Sequence, residues 1–268
     1  MAELMLEKLR PLGKRALINI PGVYGLGKSA YQALKSNSER LQIGRKHPAA
    51  AFVNYSPVKL ANLRSRGYSS QFGQDYYLWN HVLAHRPSGF YVEIGANHPA
   101  LNSNSKFLES RGWKGVSFEP LGTFQEEWSR TRANPLLQVA ISSSAGEEDF
   151  VEILAKEGWE HQLSAFASHV RQEDVDMYGS KKYKVPTAPL AEHLTPETHI
   201  DILMIDVEGA ERSVLAGIDF GLIRPDHLLV ENNAIVGGDP QLRSLIVNLG
   251  YNFVARLGLS DDLYRRRN

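Results

Sequence analysis

The chain has 268 residues, and its thirty basic side chains balance thirty acidic ones, so no net charge favours nucleic acid or an anionic membrane as a partner. Cysteine is absent, which excludes disulfides, thiolate metal ligands and a cysteine nucleophile. No run approaches the roughly 20 apolar residues of a membrane span, and the start lacks the apolar core of a signal peptide. We therefore expect a soluble, cytoplasmic protein.

Residues 1–67 differ in texture from the rest of the chain. Leucines near the start follow helical spacing, and a helix is predicted over 29–41, after a loop over 21–27. The stretch 44–66 is basic and interrupted by prolines, which is typical of a connecting segment. We interpret this region as an N-terminal helical extension, which could also mediate a homo-oligomer.

Residues 22–29 of this extension match the phosphate-binding pattern G-x-x-x-x-G-K-[ST], with Lys28 in the position that reaches a phosphate. The apolar run 16–20 could form the preceding strand. A P-loop domain also needs more sheet and a neighbouring acid that holds Mg²⁺. The extension is too short to provide both, so we favour a glycine-rich loop that caps a helix. A P-loop-type nucleotide-binding protein using Gly22–Ser29 is the alternative.

From residue 68 onward, short apolar runs alternate with helical stretches. This alternation predicts an α/β domain over 68–268, with a mostly parallel sheet and helices on both faces. Ligands of such sheets bind beyond the carboxyl ends of the strands. The long segment 147–189 breaks the alternation and is expected to supply a strand and then a loop that faces the substrate. Strands are predicted over 89–95, 114–120, 136–142, 199–209 and 227–233.

Polar residues end the first two of these strands. Gly95 permits a tight turn and the close approach of a ligand, and Glu93 can accept hydrogen bonds from a cationic amine. The turn lacks the G-x-G-x-x-G pattern of dinucleotide folds. Glu119 ends the next strand, where a carboxylate can bind both hydroxyls of a ribose. The two strand ends together predict a nucleoside-containing cofactor.

Carboxylates crowd the end of the fourth predicted strand. A helix N-terminus accounts for Glu208 or Glu211, since acids there are stabilised by the helix dipole, but it accounts less well for Asp206, which falls at the strand tip itself. The fifth strand ends in Glu231 and Asn232, which should lie beside Asp206. Oxygen ligands of this kind suit Mg²⁺ or another divalent cation. In the alternative hypothesis Asp206 acts directly as a base.

Several long motifs follow one another in the chain: SQFGQD (70–75), GFYVEIGANHPALNSNS (89–105), LESRGWKGVSFEP (108–120) and PLAEHL with HIDILMIDVEGAERSVLAGIDF (189–220). In these motifs the chain resembles the FkbM-type methyltransferases. The resemblance implies a Rossmann-like class I methyltransferase fold that uses S-adenosyl-L-methionine (SAM). It also implies methyl transfer to a hydroxyl of a small molecule, a sugar or glycan, or a natural product.

Carried over by position, the resemblance assigns Glu93, Gly95 and Asn97 to the methionine end of SAM and Glu119 to the ribose, with Ala140 bordering the adenine. Where the family often has a glycine after Gly-Ala-Asn, this chain has His98 and Pro99. The candidate cofactor-binding residues are Glu93, Gly95, Asn97, Asn104, Glu119, Pro120, Ala140 and Asp206.

A hydroxyl is a poor nucleophile at neutral pH and needs a base or a metal ion to lower its pKa. Asp206 is the first candidate for a catalytic residue, either alone or with a cation held by Asp206, Glu231 and Asn232. His161 is the second candidate, because it lies in an irregular segment that could fold over the crevice. The sequence thus predicts a SAM-dependent O-methyltransferase, and a catalytically silent scaffold of the same fold is a further alternative.

Overall fold

The computed structural model describes residues 21–156, 158–195 and 197–267, with side chains from residue 32 onward. Short 3₁₀ turns cover Gly122–Phe124, Glu160–Leu163 and Leu190–Glu192, and a π turn covers Leu78–Val82. The other elements, in chain order, are α1 (Pro21–Lys46), β1 (Ala51–Val53), α2 (Pro57–Ser65), α3 (Gln74–Tyr77), β2 (Phe90–Ile94), α4 (Lys106–Ser110), β3 (Lys114–Phe118), α5 (Gln125–Thr131), β4 (Leu136–Leu137), β5 (Ala140–Ile141), β6 (Gly146–Ile153), β7 (Ala165–Phe166), α6 (Gln172–Tyr178), β8 (Ser180–Ala188), β9 (Ile202–Ile205), α7 (Glu211–Ala216), β10 (His227–Glu231), α8 (Pro240–Asn248), β11 (Tyr251–Leu257) and β12 (Asp261–Arg266).

The larger sheet within the described residues has the strand order β1-β11-β12-β10-β9-β2-β3-β4. β12 runs antiparallel to both of its neighbours, and the other pairings are parallel. β3 and β4 lie on one side of β2, whereas β9 and β10 lie on the other, so the chain changes direction across the sheet between β2 and β9. Open α/β sheets bind ligands at such a reversal. The predicted Rossmann-like α/β fold is confirmed.

Apolar side chains cover both faces of this sheet. Along β9, Leu203 and Ile205 belong to the core on one face, and Ile202 and Met204 belong to the core on the other. Successive residues of a strand point to opposite faces, so a strand buried on both sides is apolar throughout. This burial explains why the parallel strands could be recognised in the sequence as continuous apolar runs.

The N-terminal part of the described chain corrects two predictions. Helix α1 contains the predicted helix over 29–41, but it begins at Pro21, so residues 22–29 are helical and do not form a loop. A phosphate-binding loop presents several consecutive N–H groups to its ligand, whereas N–H groups inside a helix bond back along the chain. The phosphate-loop interpretation therefore fails. The leucines near the start and the apolar run 16–20 lie outside the described residues.

The stretch 44–66, predicted as a connecting segment, contains both β1 and α2. β1 pairs in parallel with β11 and extends the large sheet by one strand. On α1, the fully buried Glu39 accepts a hydrogen bond from Arg256 Nε at 3.0 Å. Because breaking one partner of a buried ion pair typically costs about 3–5 kcal/mol, this contact fixes α1 to the sheet. The boundary drawn at residue 67 therefore does not separate two packing units.

A second sheet within the described residues has the order β5-β8-β6-β7. The predicted strand 136–142 is divided between the sheets, with β4 in the large one and β5 in the small one. β6 pairs antiparallel with β8 over the whole length of β6, and the chain between them carries β7, α6 and the 3₁₀ turn Glu160–Leu163. The long segment is thus folded as a sheet, richer in structure than predicted. No helix among the described residues is long and apolar enough to cross a membrane.

Candidate active site

The turn after β2 is packed directly against the end of β9. Gly95 has a φ of 84°, and a Cβ atom there would lie 1.7 Å from the carbonyl oxygen of Asp206. The N–H groups of Gly95 and Ala96 both donate to the carbonyl of Phe118 at the end of β3, at 2.9 and 3.1 Å. Glycine is therefore required by the approach of two backbones, in addition to any contact with a ligand.

A small cavity of about 10 Å³, enough for one water molecule, lies beside this turn. Glu93, Asn104 and Asp206 are among its lining residues. Glu93 is buried and accepts hydrogen bonds from Ser105 Oγ at 2.6 Å and Ser117 Oγ at 3.1 Å. Burial raises the pKa of Glu93. Asn104 Oδ1 is buried and has no hydrogen-bond partner within the described chain, so the cavity wall presents unused acceptor capacity.

Glu119, at the end of β3, connects the turn after β2 with the turn after β3 through hydrogen bonds. Its Oε2 accepts from the N–H of Asn97 and its Oε1 from the N–H of Leu121, both at 2.8 Å. Burial raises the pKa of Glu119 to about 7. Each carboxylate oxygen keeps a second lone pair, so the group can still accept from a ligand. Pro120 follows directly, and Ala140 packs with Leu121 in the core beneath the small sheet.

Asp206, Glu208 and Glu231 form the acid cluster, in which carboxylate oxygens of the three residues lie within 4.8 Å of one another. Burial and the charge of neighbouring acids raise the pKa of Asp206 and of Glu231 well above their usual range. Burial and the charge of Glu211 raise the pKa of Glu208 to about 7. Ionising all three carboxylates at this separation costs free energy of electrostatic repulsion, unless a bound cation offsets the charge or one of them keeps a proton.

A comparison with known families shows the family to which the chain belongs. The family model described as the methyltransferase FkbM domain matches residues 93–253, which run from Glu93 through both strand ends and the acid cluster. The chain belongs to the FkbM methyltransferase family. The predicted resemblance is confirmed, and with it the class I fold of SAM-dependent methyltransferases.

Similar solved structures include a TehB-like SAM-dependent methyltransferase from Corynebacterium glutamicum, at 10% identity and a TM-score of 0.41, over 78% of this chain and 95% of that chain. They also include the 1,6-didemethyltoxoflavin-N1-methyltransferase of Burkholderia thailandensis with bound 1,6-didemethyltoxoflavin and S-adenosylhomocysteine. It is 14% identical, with a TM-score of 0.36, over 81% of this chain and 92% of that chain. A comparison with curated proteins gives no significant match.

The His98-Pro99 departure from the common FkbM pattern has a structural explanation. Asn97 has a φ of 51°, and its Oδ1 accepts from the N–H of His98 at 2.9 Å. His98 Nδ1 then accepts from the N–H groups of Ala100 and Leu101, both at 3.0 Å. The imidazole therefore closes the turn with its own side chain. A ring nitrogen that accepts two hydrogen bonds carries no proton, so the proton of neutral His98 is on Nε2.

Glu208, which the sequence left to the helix dipole, belongs to the acid cluster. Its φ of 51° is uncommon for a residue with a side chain and marks a backbone held under strain. Glu211 instead behaves as predicted for a helix start, because its Oε1 accepts from the N–H of Gly209 at 2.9 Å. Asp261 on β12 was missed altogether: it is buried, lines the small cavity, and accepts from Gln74 Nε2 at 2.7 Å.

Asn232 does not join the acid cluster, although the sequence assigned it as a metal ligand. Its Oδ1 accepts from the N–H of Asp239 at 2.6 Å, and its Nδ2 donates to Asp262 Oδ2 at 2.8 Å. Adjacent residues in extended chain point to opposite sides, so Glu231 and Asn232 cannot both face Asp206. Glu208 takes the third position instead.

His161 lies over the turn after β2. Its ring packs edge-on against Phe124 at 4.7 Å, and its carbonyl accepts from Asn97 Nδ2 at 3.4 Å. Burial and the charge of His98 lower its pKa, so the ring is neutral near pH 7. Its Nε2 is buried without a partner in the described part of the chain. These neighbours belong to the β2–β3 side, so the structure groups His161 with the candidate cofactor residues.

The acid cluster has a different cover. His169 follows β7, and its Cδ2 would lie 3.4 Å from a Cβ atom built on Gly209. The charge of Arg171 opposes the raised pKa of Glu208. The segment between β6 and β8 therefore covers both halves of the crevice, with residues 160–163 on one and 169–171 on the other. No sequence motif marks His169 or Arg171, since their position depends on a β-hairpin formed far along the chain.

Proposed function

We propose that this FkbM-family protein transfers the methyl group of SAM to a hydroxyl of a sugar, glycan or natural-product acceptor. The observation that carries the proposal is the acid cluster, which places proton acceptors at the end of β9, in backbone contact with the turn after β2. Methyl transfer from a sulfonium to a hydroxyl needs one group that holds the cofactor and another that removes a proton. The ends of β2 and β3 would hold the cofactor, and the end of β9 would supply the group that removes the proton.

The β2–β3 side fits SAM by its chemistry. The small cavity offers the carboxylate of Glu93 and the unpartnered oxygen of Asn104, which suit the ammonium of the methionine moiety. Glu119 retains the lone pairs needed to accept from ribose hydroxyls, and Ala140 with Pro120 lies on the side where an adenine ring would follow. When bound, SAM supplies a methyl group that is already activated by its sulfonium, so no protein residue has to activate it.

Asp206 is the residue that we assign as the base. Bound SAM would supply the methyl carbon to the acceptor oxygen, and the electron pair of the broken carbon–sulfur bond would stay on the sulfur of S-adenosylhomocysteine. The hydroxyl proton passes to the carboxylate of Asp206. Burial raises the pKa of Asp206 well above its usual range, and a carboxylate with a raised pKa is a stronger base than an exposed one.

The acid cluster also fits a divalent cation such as Mg²⁺, because hard cations prefer carboxylate oxygens. Asp206, Glu208 and Glu231 would hold it, in place of the set that included Asn232. The cation would offset the repulsion that raises their pKa values, and it would supply Lewis-acid stabilisation of the developing alkoxide.

Titration calorimetry with S-adenosylhomocysteine tests the cofactor half of the proposal. We expect binding to wild-type protein and a loss of at least about tenfold in affinity in Glu119→Ala, since hydrogen bonds to a charged group are lost. Glu148→Ala, which removes an exposed carboxylate of β6, is the matched control and should bind like wild type. A wild-type protein that ignores the ligand would contradict the proposal.

The same titration with Mg²⁺ tests the cation. We expect heat from Mg²⁺ binding to wild type after removal of metal with EDTA, and none with Glu231→Gln. Glu148→Gln provides the control, because Glu148 is an exposed carboxylate of β6 outside the acid cluster. This variant should leave the Mg²⁺ signal intact. If wild type gives no signal, Asp206 acts without a metal ion.

A further inference from the structure

A second cavity, of about 250 Å³, opens on the outer side of the loop that follows β2. Arg64, Tyr68 and Ser69 form one wall, and Leu101, Asn102 and Lys106 form the other. We call it the Arg64–Lys106 pocket. It is far larger than the cavity beside Glu93, and none of the residues assigned to the cofactor or the acid cluster lines it.

The charge of this pocket is one-sided, because its lining contains two cationic side chains and no acidic one. Arg64 makes a long hydrogen bond of 3.5 Å to the carbonyl of Gln71, and its other donors have no partner among the residues that the structure describes. Lys106 is half-buried, and its charge adds to the lowering of the His98 pKa that burial causes. The carboxylate of the nearby Asp75 accepts hydrogen bonds from the N–H groups of Ser69 and Ser70 and does not line the pocket.

The rest of the pocket is suited to an organic group. The ring of Tyr68 is fixed by stacking on Phe107 at a centroid distance of 3.9 Å. Leu101, which is 43% exposed, adds an apolar side chain to the wall of the pocket. A cavity of this volume is below the usual size for a whole drug-sized ligand, so it suits a charged group together with part of a ring.

One loop connects this pocket to the active site. Asn102 has a φ of 56°, forms a β-bridge with Ser70, and donates from Nδ2 to Gln162 Oε1 at 3.2 Å. Gln162 belongs to the turn that covers the β2–β3 side. Asn104, two residues further along, lines the cavity beside Glu93. A group bound in the pocket would therefore fix the loop whose other face meets the cofactor.

We propose that the Arg64–Lys106 pocket binds a phosphate group of the methyl acceptor, so that the substrate is a phosphate-bearing sugar and not a neutral one. Arginine and lysine together match the charge of a phosphate better than that of a single carboxylate, and binding away from the reacting oxygen aligns it for transfer. The assignment to the acceptor rests on the proposed function, whereas phosphate binding at this pocket does not depend on it.

The test is a titration followed by ¹H–¹⁵N spectra and calorimetry, with inorganic phosphate, glucose, glucose 1-phosphate and UDP-glucose as separate probes. We expect phosphate and at least one phosphorylated sugar to bind and to shift the amide signals of Ser69 and Asn102. Glucose should do neither. Lys106→Gln and Arg64→Gln should each weaken binding by about tenfold or more, as expected for a charge-assisted hydrogen bond.

Lys114→Gln is the matched control, because Lys114 is an exposed lysine at the start of β3, beside the start of β2, whereas the pocket lies beyond the end of β2. It should bind phosphate like wild type. The affinity for S-adenosylhomocysteine, measured in the same variants, should not change. Unchanged binding of this ligand would show that the fold and the cofactor site are intact in the variants. Failure of wild type to bind S-adenosylhomocysteine counts against the proposed function alone. Phosphate binding that is absent, or equal in all variants, overturns the pocket assignment.

Discussion

The two halves of the crevice surround their carboxylates with different partners, although burial raises the pKa of the carboxylates in both. On the β2–β3 side, Glu93 and Glu119 each accept two hydrogen bonds, from serine hydroxyls in one case and from backbone N–H groups in the other. On the β9–β10 side, Asp206, Glu208 and Glu231 face one another, and burial with mutual repulsion dominates their titration. The first half is prepared to hold a ligand in place, whereas the second is prepared to take up a proton or a cation.

The largest effect should come from Asp206→Asn. If Asp206 accepts the hydroxyl proton, its removal should lower the rate of methyl transfer by about 10²–10⁴-fold, measured as S-adenosylhomocysteine release with an acceptor found by screening. Thermal stability at pH 8 should hold or rise, because one of several repelling charges is gone. The exposed Glu148→Gln serves as the control. Unchanged turnover in Asp206→Asn would favour a different base, and no turnover even in wild type would favour the silent scaffold.

Gly95→Ala should produce the next largest effect, since Gly95 is where the two halves touch. The added methyl group would overlap the carbonyl of Asp206, and a positive φ adds strain, so we expect a loss of more than about 3 kcal/mol in the free energy of unfolding. Gly250→Ala separates the two causes: Gly250 also has a positive φ, but a Cβ atom there meets nothing within 4 Å. It should cost about 1 kcal/mol. Urea denaturation measures both, and equal costs would remove the clash from the explanation.

Gly95 also shows what the sequence could and could not reveal. A glycine at the end of a buried strand predicted a tight turn, and periodicity predicted the strands, because both depend on neighbours in the chain. The reason for the glycine, the carbonyl of Asp206, lies more than one hundred residues away in the sequence. Asn232 was misassigned for a related reason, since strand composition does not show which of two adjacent residues faces the crevice. The positions of His161 and His169 over the crevice depend on the pairing of β6 with β8, which no local sequence pattern predicted.

The smallest effect, and a test of the acid cluster on the β9–β10 side, is the response of stability to pH when Glu208 is replaced. An acid whose pKa is higher in the folded state than in the unfolded state binds more protons when folded. The free energy of unfolding therefore falls as the pH rises, between about 4.5 and about 7 for Glu208. Glu208→Gln removes this titration and should raise the melting temperature at pH 8 by about 2–6 °C, with little change at pH 4.5. Glu148→Gln should follow wild type at every pH.

Saturating Mg²⁺ at pH 8 should stabilise wild type more than Glu208→Gln if the cluster holds a cation, because the ion offsets the repulsion that the mutation relieves. A melting temperature that rises steadily from pH 5 to 8 in wild type would mean that the charges of the acid cluster are already compensated.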